Sequence, residues 1–230
     1  MDVRIESLLA GAKRAEGAVA VIDVFRAFTT AAVALANGAR QVVMVGSVEA
    51  ALALRETGVG EVCMGEVHGL KAEGFDFGNS PTELLGVDLS GRTVIQRTSA
   101  GTQGIVAAAG RAEFLCAASL VTARATAQAL AAAGTGRITL VAMGEEGVAR
   151  TDEDELCALY LRQLLTGKQG APQAVRQVIL AGGDAAGFRD STRAYLPPGD
   201  VDVALDVDRY DFAVRVTVEG GRPVGRMWRS

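Results

Sequence analysis

A three-layer α/β/α fold on a mostly parallel sheet, finished by a C-terminal antiparallel hairpin or small lobe, is what this 230-residue chain predicts. Three observations carry that expectation. Short runs rich in Val, Ile and Met alternate with alanine-rich stretches up to about residue 165, the rhythm of strands joined by crossover helices. Each run ends in small or polar residues, as strands do at the edge where open α/β sheets bind ligands. After about residue 167 the alternation weakens and the tail reads as β hairpin. We therefore expect a main domain over 1–167 that carries the active site, and an extension over 168–230 that completes the fold.

Val19 to Asp23 reads as a buried strand, followed by a helix through Thr30 to Ala36 that Asn37-Gly38 closes. Gln41 to Val45 is the next strand. Ser47 caps a helix over roughly 48–57, and Glu61 to Met64 leads into Gly65-Glu66. Gly74-Phe75-Asp76-Phe77-Gly78-Asn79-Ser80-Pro81-Thr82-Glu83 then forms a glycine-hinged loop entering a helix, with Ser80 as N-cap, Pro81 as first helical residue and Glu83 as capping-box acid. Thr93 to Arg97 is strand-like, and Thr98 to Thr102 turns it into a helix. Glu113 to Ala117 and Arg137 to Met143 repeat the theme, with alanine-rich helix filling between them over 123–133. Thr151 opens a helix carrying Leu156, Leu159, Leu161, Leu164 and Leu165. Pro172 starts a short helix that Gly182-Gly183 ends, and Arg189 to Gly199 reads as loop. Val201 to Asp206 and Phe212 to Val218 read as strands, and Glu219 to Arg222 as a tight turn toward Val224 to Trp228. The hairpin is expected on the sheet edge or in a small lobe.

Composition narrows the partners. The formal net charge is −4 and the basic residues are scattered, so neither nucleic acid nor an anionic membrane surface is expected as a partner. No run reaches the ~20 apolar residues of a membrane helix, and Asp2, Arg4 and Glu6 break any signal-peptide core, which makes the expected location cytoplasmic. Cys63, Cys116 and Cys157 are three in number and far apart, without a C-x-x-C pair, as expected of reduced thiols. A single histidine, His68, rules out paired-histidine chemistry, and no phosphate-binding glycine motif of the nucleotide type occurs.

The candidate chemical groups sit at strand ends. Asp23 and Arg26 follow the first strand, where Asp23 reads as metal ligand or nucleophile and Arg26 as an anion clamp, against a plain structural pair. Glu66 ends another strand in the same manner. Asp76 and Asn79 precede the Ser80 helix start, whose free amides attract anions. Ser99, Gly101 and Thr102 offer hydroxyl and backbone donors of the kind that hold phosphate. Asp152, Glu153 and Asp154 crowd one helix start, either as solvated caps that complement the macrodipole, with Thr151 and Asp154 as a capping box, or as part of a site; Cys157, one turn on, reads as core. Gly144 to Gly147 reads as a turn able to bring further acids to the same edge, and His68 as an exposed loop residue or an acid–base group.

Asp23-Val24-Phe25-Arg26-Ala27, Gly65-Glu66, the Gly74 to Pro81 string, the Thr98 to Thr102 loop and Gly147 to Cys157, in this order, resemble the 2-phosphosulfolactate phosphatase family over about residues 18–160. The resemblance implies a Mg²⁺-dependent phosphomonoesterase on an α/β/α fold, acting on a small sulfonated or carboxylated phosphoester, working as a homodimer and yielding a precursor of coenzyme M. Mg²⁺ would then be held by two or three of Asp23, Glu66, Asp76, Glu153 and Asp154, with Arg26, the Ser80 helix end and the Gly101-Thr102 amides balancing transition-state charge. The nucleophile is either a metal-bound water or an aspartate, Asp23 being the candidate for a phosphoenzyme. Two rival readings stay open: an anion-binding relative altered at Val67 and Ala100, and a different Mg²⁺ enzyme acting on phosphorylated hydroxy acids.

Overall fold

The computed structural model describes residues 2–229. In chain order the first half supplies β1 (Asp2–Ser7), α1 (Leu8–Ala12), β2 (Gly17–Ile22), α2 (Ala27–Ala36), β3 (Gln41–Met44), α3 (Val48–Glu56), β4 (Val62–Val67), β5 (Leu70–Lys71), β6 (Thr93–Arg97) and α4 (Gly101–Ala108). The second half supplies β7 (Ala112–Ala118), α5 (Ala123–Ala132), β8 (Arg137–Ala142), α6 (Asp152–Leu165), α7 (Pro172–Ala181), α8 (Gly199–Ala204), β9 (Ala213–Glu219) and β10 (Arg222–Trp228). The strands form one sheet in the order β1-β8-β2-β7-β9-β10-β3-β6-β4-β5. Pairing is parallel within β1-β8-β2-β7 and within β3-β6-β4, and antiparallel around the hairpin and at β5.

Both faces of the sheet are covered, so central strands lack the polar alternation of a half-exposed sheet. β2 is buried along its whole length. Its Val19 and Val21 pack with α2 and α4 in one core, while Ala18, Ala20 and Ile22 pack with α5 and α6 in the other. A smaller core beneath α3 joins Val43, Cys63 and Ile95. Ser47 caps α3 as expected, its Oγ accepting the Ala50 N–H at 3.1 Å. No helix among the described residues is long and apolar enough to cross a membrane.

Four local expectations are corrected. The β9–β10 hairpin lies in the middle of the sheet, between β7 and β3, rather than on its edge. Residues 201–206 belong largely to α8: Val201, Ala204 and Leu205 are buried at helical spacing, and Pro197-Pro198 precede the helix, so the apparent alternation of Val201 and Val203 misleads. The segment after Ser80 is a series of turns rather than a helix. Ser80 Oγ accepts the Glu83 N–H at 3.3 Å, but the Glu83 carboxylate caps Gly78 N–H at 2.8 Å, and Gly86 at φ +78° stops propagation after too few residues. Finally, β1 and α1 precede the first strand read from the sequence; β1 alternates Val3 and Ile5 with polar residues at the sheet edge.

Three antiparallel pairings separate β7 from β3, so the two parallel blocks run in opposite senses. Neighbouring strands rotate by roughly 20–25° each, and the five steps from β2 to β6 accumulate on the order of 100°. Residues at the C-terminal ends of β2 and β8 in one block and of β4 and β6 in the other nonetheless line one cavity.

Candidate active site

At the end of β2 the chain turns inward and leaves Asp23 buried. Its Oδ1 accepts the Ala27 N–H at 2.9 Å, and a Cβ built on Gly101 would lie 2.8 Å from Oδ2, so only glycine lets the start of α4 come this close. Burial pushes the Asp23 carboxyl up to about 6; the Ala27 amide opposes this, the nearby Glu66 charge adds to it, and the Gly101 amide and Arg26 pull it back. The Phe25–Arg26 peptide is cis.

Arg26 is also buried, and its charge is answered by a residue from the far end of the chain. Nη1 donates to Asp200 Oδ2 and to the Tyr195 carbonyl, both at 2.8 Å, and the guanidinium lies 5.8 Å from the Phe188 ring centroid. Asp200 Oδ1 accepts from Ser80 Oγ at 2.6 Å and from Thr82 N–H at 3.1 Å.

Glu66, at the end of β4, is held by its neighbours. Ser99 N–H and Gly69 N–H donate to its two oxygens at 2.5 and 2.7 Å, and Ser99 Oγ donates at 3.0 Å. The Ser99 donors expected to face phosphate are thus spent on Glu66. Thr102 is likewise closed on itself: its Oγ1 accepts Thr98 N–H at 2.8 Å while its own N–H donates to Thr98 Oγ1 at 3.1 Å.

The Gly74 to Pro81 string delivers one side chain to the site and anchors the rest. Asp76, expected as a metal ligand, points elsewhere: its Oδ2 accepts Cys63 N–H at 2.8 Å and Arg55 at 3.3 Å, and its side chain is 44% exposed. It pins the loop beside β4, where Met64 and Phe77 form a bridge. The loop then carries Asn79 into the cavity wall, where its Oδ1 is buried without a hydrogen-bond partner.

Of the acids at the start of α6, Asp152 is exposed, but Glu153 and Asp154 are not solvated caps. Glu153 and Asp154 are 3% and 2% exposed. The Thr151–Asp154 capping box does not form, because Asp154 bridges two strand ends, accepting Val24 N–H and Gly144 N–H at 2.8 Å each. Burial raises both carboxyls well above their ordinary range; Asp154 adds to the effect on Glu153, and Asp23 to that on Asp154. Glu153 Oε2, like Asn79 Oδ1, has no partner. Cys157 is core, its thiol raised by burial and by Asp154.

Asp23, Arg26, Glu66, Asn79, Ser99 and Glu153 line one cavity of about 380 Å³. Ser80, Gly101, Thr102 and Asp154 stand behind its wall, through the contacts above, and Asp76 lies apart. At the rim, exposed His68 meets Glu146 at 2.5 Å, and this carboxylate raises its pKa. The wall carries six carboxylates, Asp23, Glu66, Glu145, Glu146, Glu153 and Asp184, against two guanidiniums, Arg26 and Arg193. Among the described residues no three His, Cys, Asp or Glu side chains are grouped as a complete metal cage. Hard oxygen atoms without partners, in an excess of acid, do fit a Mg²⁺ that takes one or two carboxylates and completes its shell with a neutral amide oxygen, water and substrate.

A family model described as 2-phosphosulpholactate phosphatase matches residues 4–186. The chain belongs to that family. Among 2-phosphosulpholactate phosphatase relatives, one of Bacillus subtilis, named a probable 2-phosphosulfolactate phosphatase, is 31% identical over 209 residues, 88% of each chain. Proteins of the same name from Thermus thermophilus and Deinococcus radiodurans are each 41% identical, over 135 and 145 residues. Those two matches cover 59% and 63% of this chain but only 56% and 60% of the relatives, less than two thirds of their length.

In this member of the 2-phosphosulpholactate phosphatase family, Asp200, Tyr195 and Phe188 lie beyond the matched span yet shape the cavity or its arginine. Sequence reasoning passed over all three. Pro197-Pro198-Gly199-Asp200 does carry the signal of a helix start with an acid in its first turn.

Proposed function

We propose that this chain hydrolyses a small acidic phosphomonoester, 2-phosphosulfolactate or a related phosphorylated hydroxy acid, with Mg²⁺ as cofactor. The observation that carries the reading is the convergence of Asp23, Arg26, Asn79 and Glu153 on one cavity in a chain of this family. Asp23, Glu153 and the Asn79 carbonyl are the groups that would hold the ion. When bound, it supplies positive charge to the phosphoryl oxygens and to the leaving oxygen. The surplus of acid in the wall supports this, because a phosphate dianion would otherwise meet more repulsion than Arg26 can offset.

The chain's own residues do the remaining work. Arg26, fixed on one edge, presents its charge to the equatorial oxygens as charge spreads in transfer. Asp23 stands beside it as the acid at the reacting phosphorus, and hydroxylamine trapping distinguishes an acyl phosphate on Asp23 from direct attack by water. Glu66, locked by Ser99 and Gly69, shapes the opposite wall. The family reading also makes the working unit a cytoplasmic homodimer, which sedimentation would report as twice 23.8 kDa.

The test is phosphate release from phospholactate-type esters with Mg²⁺ or with chelator. Wild type should turn over only with the metal, and Asp23→Asn should lose about 100-fold or more. Equal activity in Asp23→Asn, or turnover unaffected by chelator, defeats the reading.

A further inference from the structure

We propose that Asp200 is a positioning residue: it fixes the orientation of the Arg26 guanidinium from α8, outside residues 4–186 that the family model matches. The inference rests on the function proposed above. Three features carry it. The Asp200 carboxylate is completely buried and the Arg26 side chain is 4% exposed, so the ion pair is shielded from water. Asp200 uses both oxygens, one on Arg26 and the other on Ser80 Oγ and Thr82 N–H, so its own geometry is set by the loop that also places Asn79. Arg26 Nη1 is saturated by Asp200 and the Tyr195 carbonyl, whereas Nη2 makes only a 3.5 Å contact, to the Gly69 carbonyl. One edge of the guanidinium is clamped and the side chain remains in the cavity wall.

Stability alone accounts poorly for such a pair. Buried ion pairs often stabilise no more than apolar residues of the same volume, because both charges lose their water. Orientation accounts for it better. An arginine free to rotate spreads its charge over many positions, whereas one with a tethered edge meets the developing phosphoryl charge already aligned.

The experiment is a double-mutant cycle on kcat and KM with Asp200→Asn, Arg26→Gln and the pair. Asp200→Asn should lower kcat about 10- to 100-fold and move KM less, since the clamp acts on the transition state. In the double variant the loss should stay close to that of Arg26→Gln alone, because the clamp reaches turnover through Arg26, while the Asp200 contacts to Ser80 and Thr82 hold the loop. A kcat for Asp200→Asn within about twofold of wild type, or losses that multiply in the double variant, overturns the proposal. Should Asp200→Asn fail to fold, Asp200→Glu takes its place: it keeps the charge but shifts the guanidinium, so kcat must still fall, and an unchanged kcat overturns the proposal. If wild type releases no phosphate from any ester, the function reading is what fails. The clamp is then read by calorimetry with inorganic phosphate, where weaker binding to Asp200→Asn than to wild type supports it, and equal affinities or no binding by either overturn it.

Discussion

Asp23 keeps its proton far above the ordinary aspartate range because water is excluded and Glu66 is close. Its pKa is about 6 when folded and 3.8 as a free side chain, so folding takes up a proton at Asp23 between those values, and the contribution of Asp23 to stability must fall as pH rises across about 4 to 6. Glu153 and Asp154 shift in the same direction and extend the decline upward. Glu219, Asp88 and Asp190 shift the opposite way, so the test is a difference: in chelator, the melting point of wild type minus that of Asp23→Asn should fall as pH rises over that window, and a difference that stays flat or grows contradicts the assignment. A divalent ion reverses the effect, so Mg²⁺ should raise the melting point, more at about pH 7 than at about pH 5. In Glu153→Gln that rise should disappear, while the metal-free protein becomes more stable for want of a buried carboxylate. That Asp23 and Glu66 reach the cavity wall was readable in the sequence because each lies at the end of an apolar strand, on the carboxyl edge of the sheet. Asp154 was not, since acids at a helix start look alike until β2 and β8 pair and bring the Val24 and Gly144 amides to it. Asp200 lies 174 residues from Arg26, and no local pattern joins them.

Loops and strand ends decide where those side chains go. Gly65 is the clearest case: at φ +135° its added Cβ would sit 1.8 Å from the Arg97 carbonyl oxygen, in the strand pair that aims Glu66. Gly65→Ala should destabilise by about 2–4 kcal/mol and weaken activity beyond what stability explains, as measured by urea unfolding and by turnover below the transition. An unfolding midpoint equal to wild type would show that β4 and β6 can part without cost. The helices around the sheet were legible because alanine-rich runs and caps such as Ser47 declare themselves locally. The helix expected after Ser80 and the strand expected over 201–206 were misread for one shared reason. Both are short segments whose state is settled by tertiary partners, Asp200 with Thr82 in one case and the buried Val201, Ala204 and Leu205 in the other.

For the whole molecule, sheet order matters more than the count of elements. The hairpin reads plainly from Glu219-Gly220-Gly221-Arg222, but its position between two blocks of opposite sense does not, because strand order depends on pairings between residues far apart in sequence. A chain ending at residue 211 would keep every cavity residue named here and lose the strands that join β7 to β3. It should lack a cooperative melting transition and bind no phosphate; a sharp transition near that of the full chain would show the two blocks to be self-sufficient. The central hairpin also bears on biosynthesis. Since β9 and β10 are translated after every other strand, a nascent chain has nothing to bridge its two half-sheets until they leave the ribosome. Exposed strand edges must wait until then, so a nascent-chain chaperone that shields them should raise the yield of folded protein.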